Sequence, residues 1–194
     1  MTEKTAQKEP GKKPVPSKKP KPQQEVVVQI SLSELHPFPD HPFQVREDAS
    51  MQETAESVKE YGVLVPALAR PREDGGYELI AGHRRKHACE LAGLATMPVI
   101  VRDIDRDAAT IIMVDSNLQR ENILPSERAK AYKMKMEAIK RQGARTDLTS
   151  PKISAKFRSD DEVGQDAGVS GDTIRNYIAL TQLVPELQQM VDEK

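Results

Sequence analysis

The sequence is short of the residues that staple or crowd a core. Cys89 is the one cysteine among 194 residues, and tryptophan is absent. A lone thiol excludes an intrachain disulfide framework and a four-cysteine zinc site, and it suits a reducing cytosol. Aromatic residues make up 4% of the chain and apolar residues 37%. That is lean for one large core, so composition predicts small modules with helical character and a disordered part. No apolar run approaches the roughly 20 residues of a membrane span, and the N-terminal lysines precede no apolar segment, so neither a membrane contact nor a signal peptide is expected. An excess of one charge is also missing. The net charge is −1, so any nucleic-acid contact must come from a local cluster. A phosphate loop ending Gly-Lys-Ser or Gly-Lys-Thr, a Gly-x-Gly-x-x-Gly turn and a Gly-x-Ser-x-Gly elbow do not occur, which argues against the enzyme classes built on them.

What is present falls into four stretches: 1–25, 26–117, 118–143 and 144–194. Residues 1–25 are rich in Lys and Pro; Pro10, Pro14, Pro16, Pro20 and Pro22 exclude a helix, and a disordered tail is expected. Val26–Ile30 is β-branched and reads as a strand. Ser31-Leu32-Ser33-Glu34-Leu35 follows, then a proline-rich loop. Asp48 can cap a helix over Ala49–Tyr61, stopped by Gly62. Val63–Arg70 and Tyr77–Ala81 read as strands of a hairpin turned by Asp74-Gly75-Gly76. A helix from Gly82 to Gly93, a strand over Met97–Val101, and a helix capped by Asp105 and reaching about Asn117 complete the second stretch. A longer helix over 126–142 carries Ala129, Tyr132, Met136 and Ile139 as its apolar stripe, with Lys130, Lys133, Lys135, Lys140 and Arg141 elsewhere. Residues 144–158 read as irregular. Asp160 or Asp161 would cap a short helix ending near Ala167, Gly168-Val169-Ser170 would turn, Gly171–Leu180 would be helical, and Pro185 would open a last helix.

Three constellations carry chemistry. The first is Gly82-His83-Arg84-Arg85-Lys86-His87 at a strand-to-helix junction. Glycine lets a ligand approach the backbone, the helix start offers unpaired N–H groups, and arginines add forked donors for phosphate oxygens. Cations at a helix start are misplaced unless an anion joins them; the competing reading is a basic exposed face. His83 and His87 share the i, i+4 spacing of zinc helices, but no Glu follows His83 and the arginines oppose a metal. Cys89 reads as a buried structural thiol. The second constellation is Asp115-Ser116-Asn117-Leu118-Gln119-Arg120-Glu121-Asn122, either a polar helix exit or a site for a nucleotide, a metal with phosphate, or a partner helix. The third has helix-turn-helix spacing, with Val163, Ala167, Val169, Ile174 and Ile178 inward. Ser170 would cap the second helix, whose outer face would carry Gly171, Asp172, Thr173, Arg175, Asn176 and Tyr177, with Ser170 beside them as a DNA contact. Arg175 and Asn176 suit guanine and adenine edges, and Thr173 and Tyr177 suit phosphates. A generic helical hairpin shows the same pattern.

In this order and spacing, together with Pro42-Phe43-Gln44-Val45-Arg46, Tyr61-Gly62-Val63-Leu64-Val65-Pro66, Pro125 and Glu127, the sequence resembles the ParB family of chromosome and plasmid partition proteins over about residues 26–190. The resemblance implies an α+β fold: a small sulfiredoxin-like α/β N-terminal domain over 26–117, a linker helix over 118–143, and an all-α helix-turn-helix domain over 144–194. It implies CTP and Mg²⁺ as ligands, a palindromic double-stranded DNA site, self-association through the N-terminal domain to form a sliding clamp, a ParA-type ATPase partner, and a cytoplasmic, nucleoid-associated location. By position, Gln44, Arg46, Leu64, Val65, Pro66, Gly82, His83, Arg84, Arg85, Ser116, Asn117, Arg120 and Glu121 would form the nucleotide pocket, with Asn117 on the metal. The family usually has Glu where His83 and Ser116 stand, so the resemblance implies nucleotide binding with weak hydrolysis, His83 being the candidate base. The long stretch 144–158 is more like plasmid and mobile-element members. Two alternatives stay open: a nucleotide-independent DNA-binding regulator with a degenerate pocket, and a nucleotide-using enzyme on the sulfiredoxin-like domain.

Overall fold

The computed structural model describes residues 25–120, 122–147 and 159–193. The expected tail lies outside them apart from Glu25, as do Glu121 and residues 148–158. The element order is β1 (Val27–Ser31), β2 (Leu35–Pro37), α1 (Ala49–Tyr61), β3 (Ala67–Pro71), β4 (Tyr77–Ala81), α2 (His83–Leu91), β5 (Thr96–Val101), α3 (Arg106–Leu118), α4 (Pro125–Asp147), α5 (Ser159–Ala167), α6 (Gly171–Leu180) and α7 (Pro185–Asp192).

The strands form one mixed sheet in the order β1-β5-β3-β4-β2. β1 runs antiparallel to β5, β3 antiparallel to β4, and the β3–β5 and β2–β4 pairs are parallel. Alternation along β4 divides the core. Leu79 packs with Met51 and Val58 of α1 and Ala88 and Cys89 of α2. Its neighbour Ile80 packs on the opposite face with Met113 and Val114 of α3, Ala131 of α4, and Phe38 and Phe43 from the proline loop. Each such buried aliphatic side chain stabilises by roughly 1.5–3 kcal/mol. A third cluster joins Tyr132 of α4 to Val163 and Ile174 of α5 and α6, and Leu118 packs against both this cluster and the second. Thus α4 is shared between the sheet layer and the terminal helices.

Capping chemistry sets the ends of several helices. Asp48 accepts from the Met51 N–H at 2.8 Å and Asp105 from the Ala108 N–H at 2.8 Å. Gly62 ends α1 with φ 72°. The hairpin turn holds Gly75 and Gly76 at φ 89° and 70°, and a Cβ on Gly76 would lie 2.9 Å from the Glu34 carbonyl oxygen.

Several elements differ from the sequence reading. The loop after Leu35 contains a short strand, β2, which a three-residue run cannot announce by periodicity; it is defined by its parallel pairing with β4. The strand expected over Val63–Arg70 begins only at Ala67, and Leu64 and Val65 are exposed. Pro66 explains this, because it supplies no N–H for a ladder. The long helix continues past Gly143 to Asp147. The helix expected to be capped by Asp160 or Asp161 starts earlier, at Ser159, which puts both aspartates in its first turn, where carboxylates suit the helix dipole.

Candidate functional site

The strand β4 delivers Gly82 to the start of α2. Gly82 is the N-cap residue, with φ 109° and ψ 20°. A Cβ there would stand 2.8 Å from the Ala67 Cβ, so the turn requires glycine. The first-turn amides of α2 consequently open onto a cleft of about 240 Å³, lined by His41, Phe43, Gln44, Val45, Ala81, Gly82, His83, Arg84, Arg85, Ser116, Asn117 and Arg120. A second hollow of about 360 Å³ shares Gln44, Arg84 and Arg120 with it and adds Arg46, Asp48, Ser50, Asn122 and Glu127. Three distant segments therefore converge: the loop after β2, the β4–α2 junction and the end of α3.

The cations are held in different ways. Arg84 donates to Asp48 Oδ1 at 3.4 Å and to Ser50 Oγ at 3.2 Å, on the first turn of α1. The Met51 amide first, and Arg84 after it, hold the Asp48 carboxyl below its usual range. Arg85 donates to the carbonyls of Val65 at 2.5 Å and Pro66 at 2.6 Å. Burial lowers its pKa, but a guanidinium remains charged. The Arg120 backbone N–H donates to the Asn117 carbonyl at 3.0 Å, but the side chains of Arg120 and Arg46 make no hydrogen bond or ion pair with the described residues. Among the described residues that line the two hollows, Asp48 and Glu127 are the carboxylates that face these four arginines. Glu127 is itself occupied, accepting from the Gln44 N–H at 3.0 Å and the Leu124 N–H at 3.3 Å, which ties the proline loop to the start of α4.

On α3, Ser116 Oγ donates to the Met113 carbonyl at 2.9 Å and Asn117 Nδ2 donates to the same carbonyl at 2.8 Å. The Asn117 Oδ1 is left to accept a donor or meet a cation. Asp115 points elsewhere, to Lys135.

His83 differs from its expected role. Its ring lies 3.9 Å from that of His41, centroid to centroid, with 45° between the planes. Burial first, and then the neighbouring His41 and Lys86, push its pKa from 6.5 down to about 3. The imidazole is therefore neutral at neutral pH: it is no phosphate-binding cation in this state, and it is a poor proton acceptor. Its Nε2 is buried without a hydrogen-bond partner among the described residues, and so is the Nε2 of His41. His41 Nδ1 donates to the Phe43 carbonyl at 2.7 Å, and burial above all lowers its pKa. Sequence reasoning missed His41 as a site residue. The local sequence holds only a histidine beside a proline, and nothing there marks it as a ring partner of His83. His87 faces Glu47 and Glu90, each 3.4 Å from a ring nitrogen.

Among the other expected pocket residues, Leu64, Val65 and Pro66 do not line the cleft. They form the loop that Arg85 ties down, with Leu64 77% and Val65 65% exposed. Glu121 lies outside the described residues.

The terminal helices α5 and α6 are joined by a turn in which Gly168 has φ 69°. The Ser170 side chain caps α6 by accepting from the Thr173 N–H at 3.2 Å. Ser170, Arg175 and Asn176 are exposed and Thr173 is half-buried. Two residues depart from the outer face expected of them. Gly171 is buried where α5 crosses, and a Cβ on it would lie 2.2 Å from Asp161 Oδ1. Tyr177 turns toward α4, edge-on to Tyr132 at 5.6 Å, with Arg128 donating to its hydroxyl at 3.4 Å. Arg175 donates to Asp160 and Asp172, so Asp172 serves as a counter-ion for it.

Comparison with known proteins agrees with this architecture. The family model for the ParB N-terminal domain matches residues 16–118. The chain is 35% identical over 167 residues to the chromosome-partitioning protein Spo0J of Thermus thermophilus, covering 86% of this chain and 55% of that protein. It is 32% identical over 170 residues to the stage 0 sporulation protein J of Bacillus subtilis, covering 88% and 54%. The chain thus spans about half the length of these curated relatives. Among solved structures, it is similar to the C-terminally truncated chromosome-partitioning protein ParB of Caulobacter crescentus complexed to the centromeric parS site. That match has 27% identity and a TM-score of 0.54, and it covers 84% of this chain and 75% of that one. Matched by that family model over residues 16–118, and with its mixed sheet and terminal helices in this order, the chain belongs to the ParB family of partition proteins.

Proposed function

We propose that this chain is a nucleotide-controlled DNA-binding protein of DNA segregation, with CTP in the cleft at the start of α2 and double-stranded DNA on α6. One observation carries the nucleotide reading. Gly82, Arg84, Arg85 and Arg120 surround a helix N-terminus in a single cleft, with no carboxylate among the described residues that line it. An anion with several phosphates is the ligand that such a cleft fits. The α2 amides and Arg84 would hold phosphate oxygens. Arg85 would couple them to the Val65–Pro66 loop, and Gln44 and Arg46 would close the far side.

A divalent cation fits less well. The described lining offers the neutral oxygens of Asn117 and Ser116 and no carboxylate, whereas protein-held Mg²⁺ usually takes one or two carboxylates. Any Mg²⁺ would be held chiefly by the nucleotide, with Asn117 Oδ1 beside it. A neutral His83 is a weak general base, so hydrolysis is slow and the cleft acts as a binding switch.

For DNA, α6 would present Ser170, Thr173, Arg175 and Asn176, with Arg175 reading a base edge once it leaves Asp160 and Asp172. The exposed apolar side chains of Tyr61, Leu64 and Val65 would lie where two N-terminal domains engage to close a clamp on DNA, in the nucleoid of the cytoplasm. A ParA-type ATPase would move the assembly.

The test is isothermal calorimetry of the full chain with CTP, ATP, GTP and UTP, with and without Mg²⁺ and duplex DNA. CTP should bind and the other nucleotides should bind more weakly. Absence of CTP binding under every condition, with duplex DNA still bound, would establish the nucleotide-independent regulator instead.

A further inference from the structure

Lys135 lies midway along α4 with its side chain 1% exposed. An ammonium so deep is strongly unfavourable unless paired and hydrogen-bonded. Here it has two partners. Its Nζ donates to Asp115 Oδ1 at 2.6 Å and to Asp166 Oδ2 at 2.8 Å. Burial lowers the Lys135 pKa, but the two carboxylates outweigh it and the net displacement is upward. The group is therefore a cation held between two anions.

The placement of those anions is the significant part. Asp115 belongs to the last turns of α3 and immediately precedes Ser116 and Asn117, which line the cleft. Asp166 belongs to the last turn of α5, just before the Gly168 turn that leads into α6. One buried ammonium thus bonds at once to the helix that forms a wall of the cleft and to the helix that sets the direction of α6. The apolar packing between the same parts runs through Leu118. Apolar packing tolerates sliding and rotation, whereas charge-assisted hydrogen bonds to one nitrogen fix distance and direction.

We propose that Lys135 is a positioning residue that couples the cleft to the DNA-contacting helices. A ligand that moves the end of α3 acts on α5 through the shared ammonium, and DNA on α6 acts back on the cleft by the same route. The inference rests on the function proposed above.

The experiment is a linkage measurement on the full chain. Anisotropy of a labelled parS duplex and of a labelled random-sequence duplex is read with and without saturating CTP and Mg²⁺. The wild type should show a change in DNA affinity of about 5-fold or more, within the usual range for coupled sites. Lys135→Met fills the same volume without charge; it should bind each ligand alone within about threefold of wild type, while the coupling factor falls below about twofold. Asp166→Asn removes one arm at a half-exposed position and should act in the same direction, and it decides the matter if Lys135→Met does not fold. Full coupling in the folded variants overturns the role of Lys135. A wild type that binds both ligands with no coupling overturns it too, together with the nucleotide control proposed above, and leaves CTP binding and DNA binding themselves standing. A wild type that binds neither nucleotide nor DNA overturns the functional reading, and the coupling with it.

Discussion

Replacing Gly82 with alanine tests the cleft and the fold together. Two costs add. Gly82 has φ 109°, and a side chain in left-handed backbone space costs about 1–2 kcal/mol. The new Cβ would also lie 2.8 Å from the Ala67 Cβ and 3.3 Å from its Cα. Ala67 is 0% exposed in β3, so the strand cannot retreat into solvent, and overpacking of this kind costs about 1–3 kcal/mol. The sum is roughly 2–5 kcal/mol, a large share of the stability of an ordinary domain. In a chain of this size it should lower the melting temperature by roughly 4–20 °C. Arg85 Cζ would be 3.4 Å from the same Cβ, so the guanidinium that ties the Val65–Pro66 loop shifts as well, and nucleotide affinity should fall even where the variant is folded. Gly143→Ala is the internal control. A Cβ there meets nothing within 4 Å, and alanine should stabilise α4 by about 0.5–1 kcal/mol. Circular dichroism melts and urea titrations read both. A Gly82→Ala protein melting within about 1 °C of wild type would refute the argument that only glycine fits the turn.

Other expectations follow from the same geometry. Arg85→Ala removes two charge-assisted bonds to the Val65 and Pro66 carbonyls and a cation from the lining of the cleft; on the proposed function it should weaken CTP binding by about 1.5–3 kcal/mol, read by calorimetry. His83 has a pKa of about 3 when folded against 6.5 ordinarily, so between these values the unfolded chain binds the extra proton. Its contribution to stability is therefore present above pH 6.5 and is lost as pH falls toward 3. His83→Asn should flatten that part of the stability profile measured by denaturant unfolding, and an unchanged slope would count against a buried neutral imidazole. Arg175→Ala should cost about 1–3 kcal/mol in specific DNA binding and little in binding to random duplex; equal loss on both would make Arg175 a phosphate contact.

Much of the fold was legible because its signals are local. Asp48, Asp105 and Ser170 each announce a helix by the side-chain oxygen that satisfies an early N–H, and all three are found capping. Gly82, Arg84 and Arg85 could be placed together because a glycine between a strand and a helix marks the junction locally, and all three line one cleft. Other features had no local signature. β2 exists through a parallel partner far along the chain. His41 matters through its contact with His83, and Tyr177 turns inward because Tyr132 and Arg128 receive it. Gly171 could be placed on the helix from spacing, but only the crossing of α5 shows that it is buried.

The sequence by itself determined the order of elements, most helix caps, the family resemblance and the strand-to-helix junction at Gly82. These depend on hydrogen bonds and charges within a few residues, and such interactions are specified by the chain segment that makes them. The tertiary structure decided the protonation of His83, the tethering of Arg175 by Asp160 and the joining of two modules through Lys135. Desolvation and ion pairing are properties of neighbours brought together by folding. The same histidine on an exposed helix would titrate near 6.5, and the same lysine in water would link nothing.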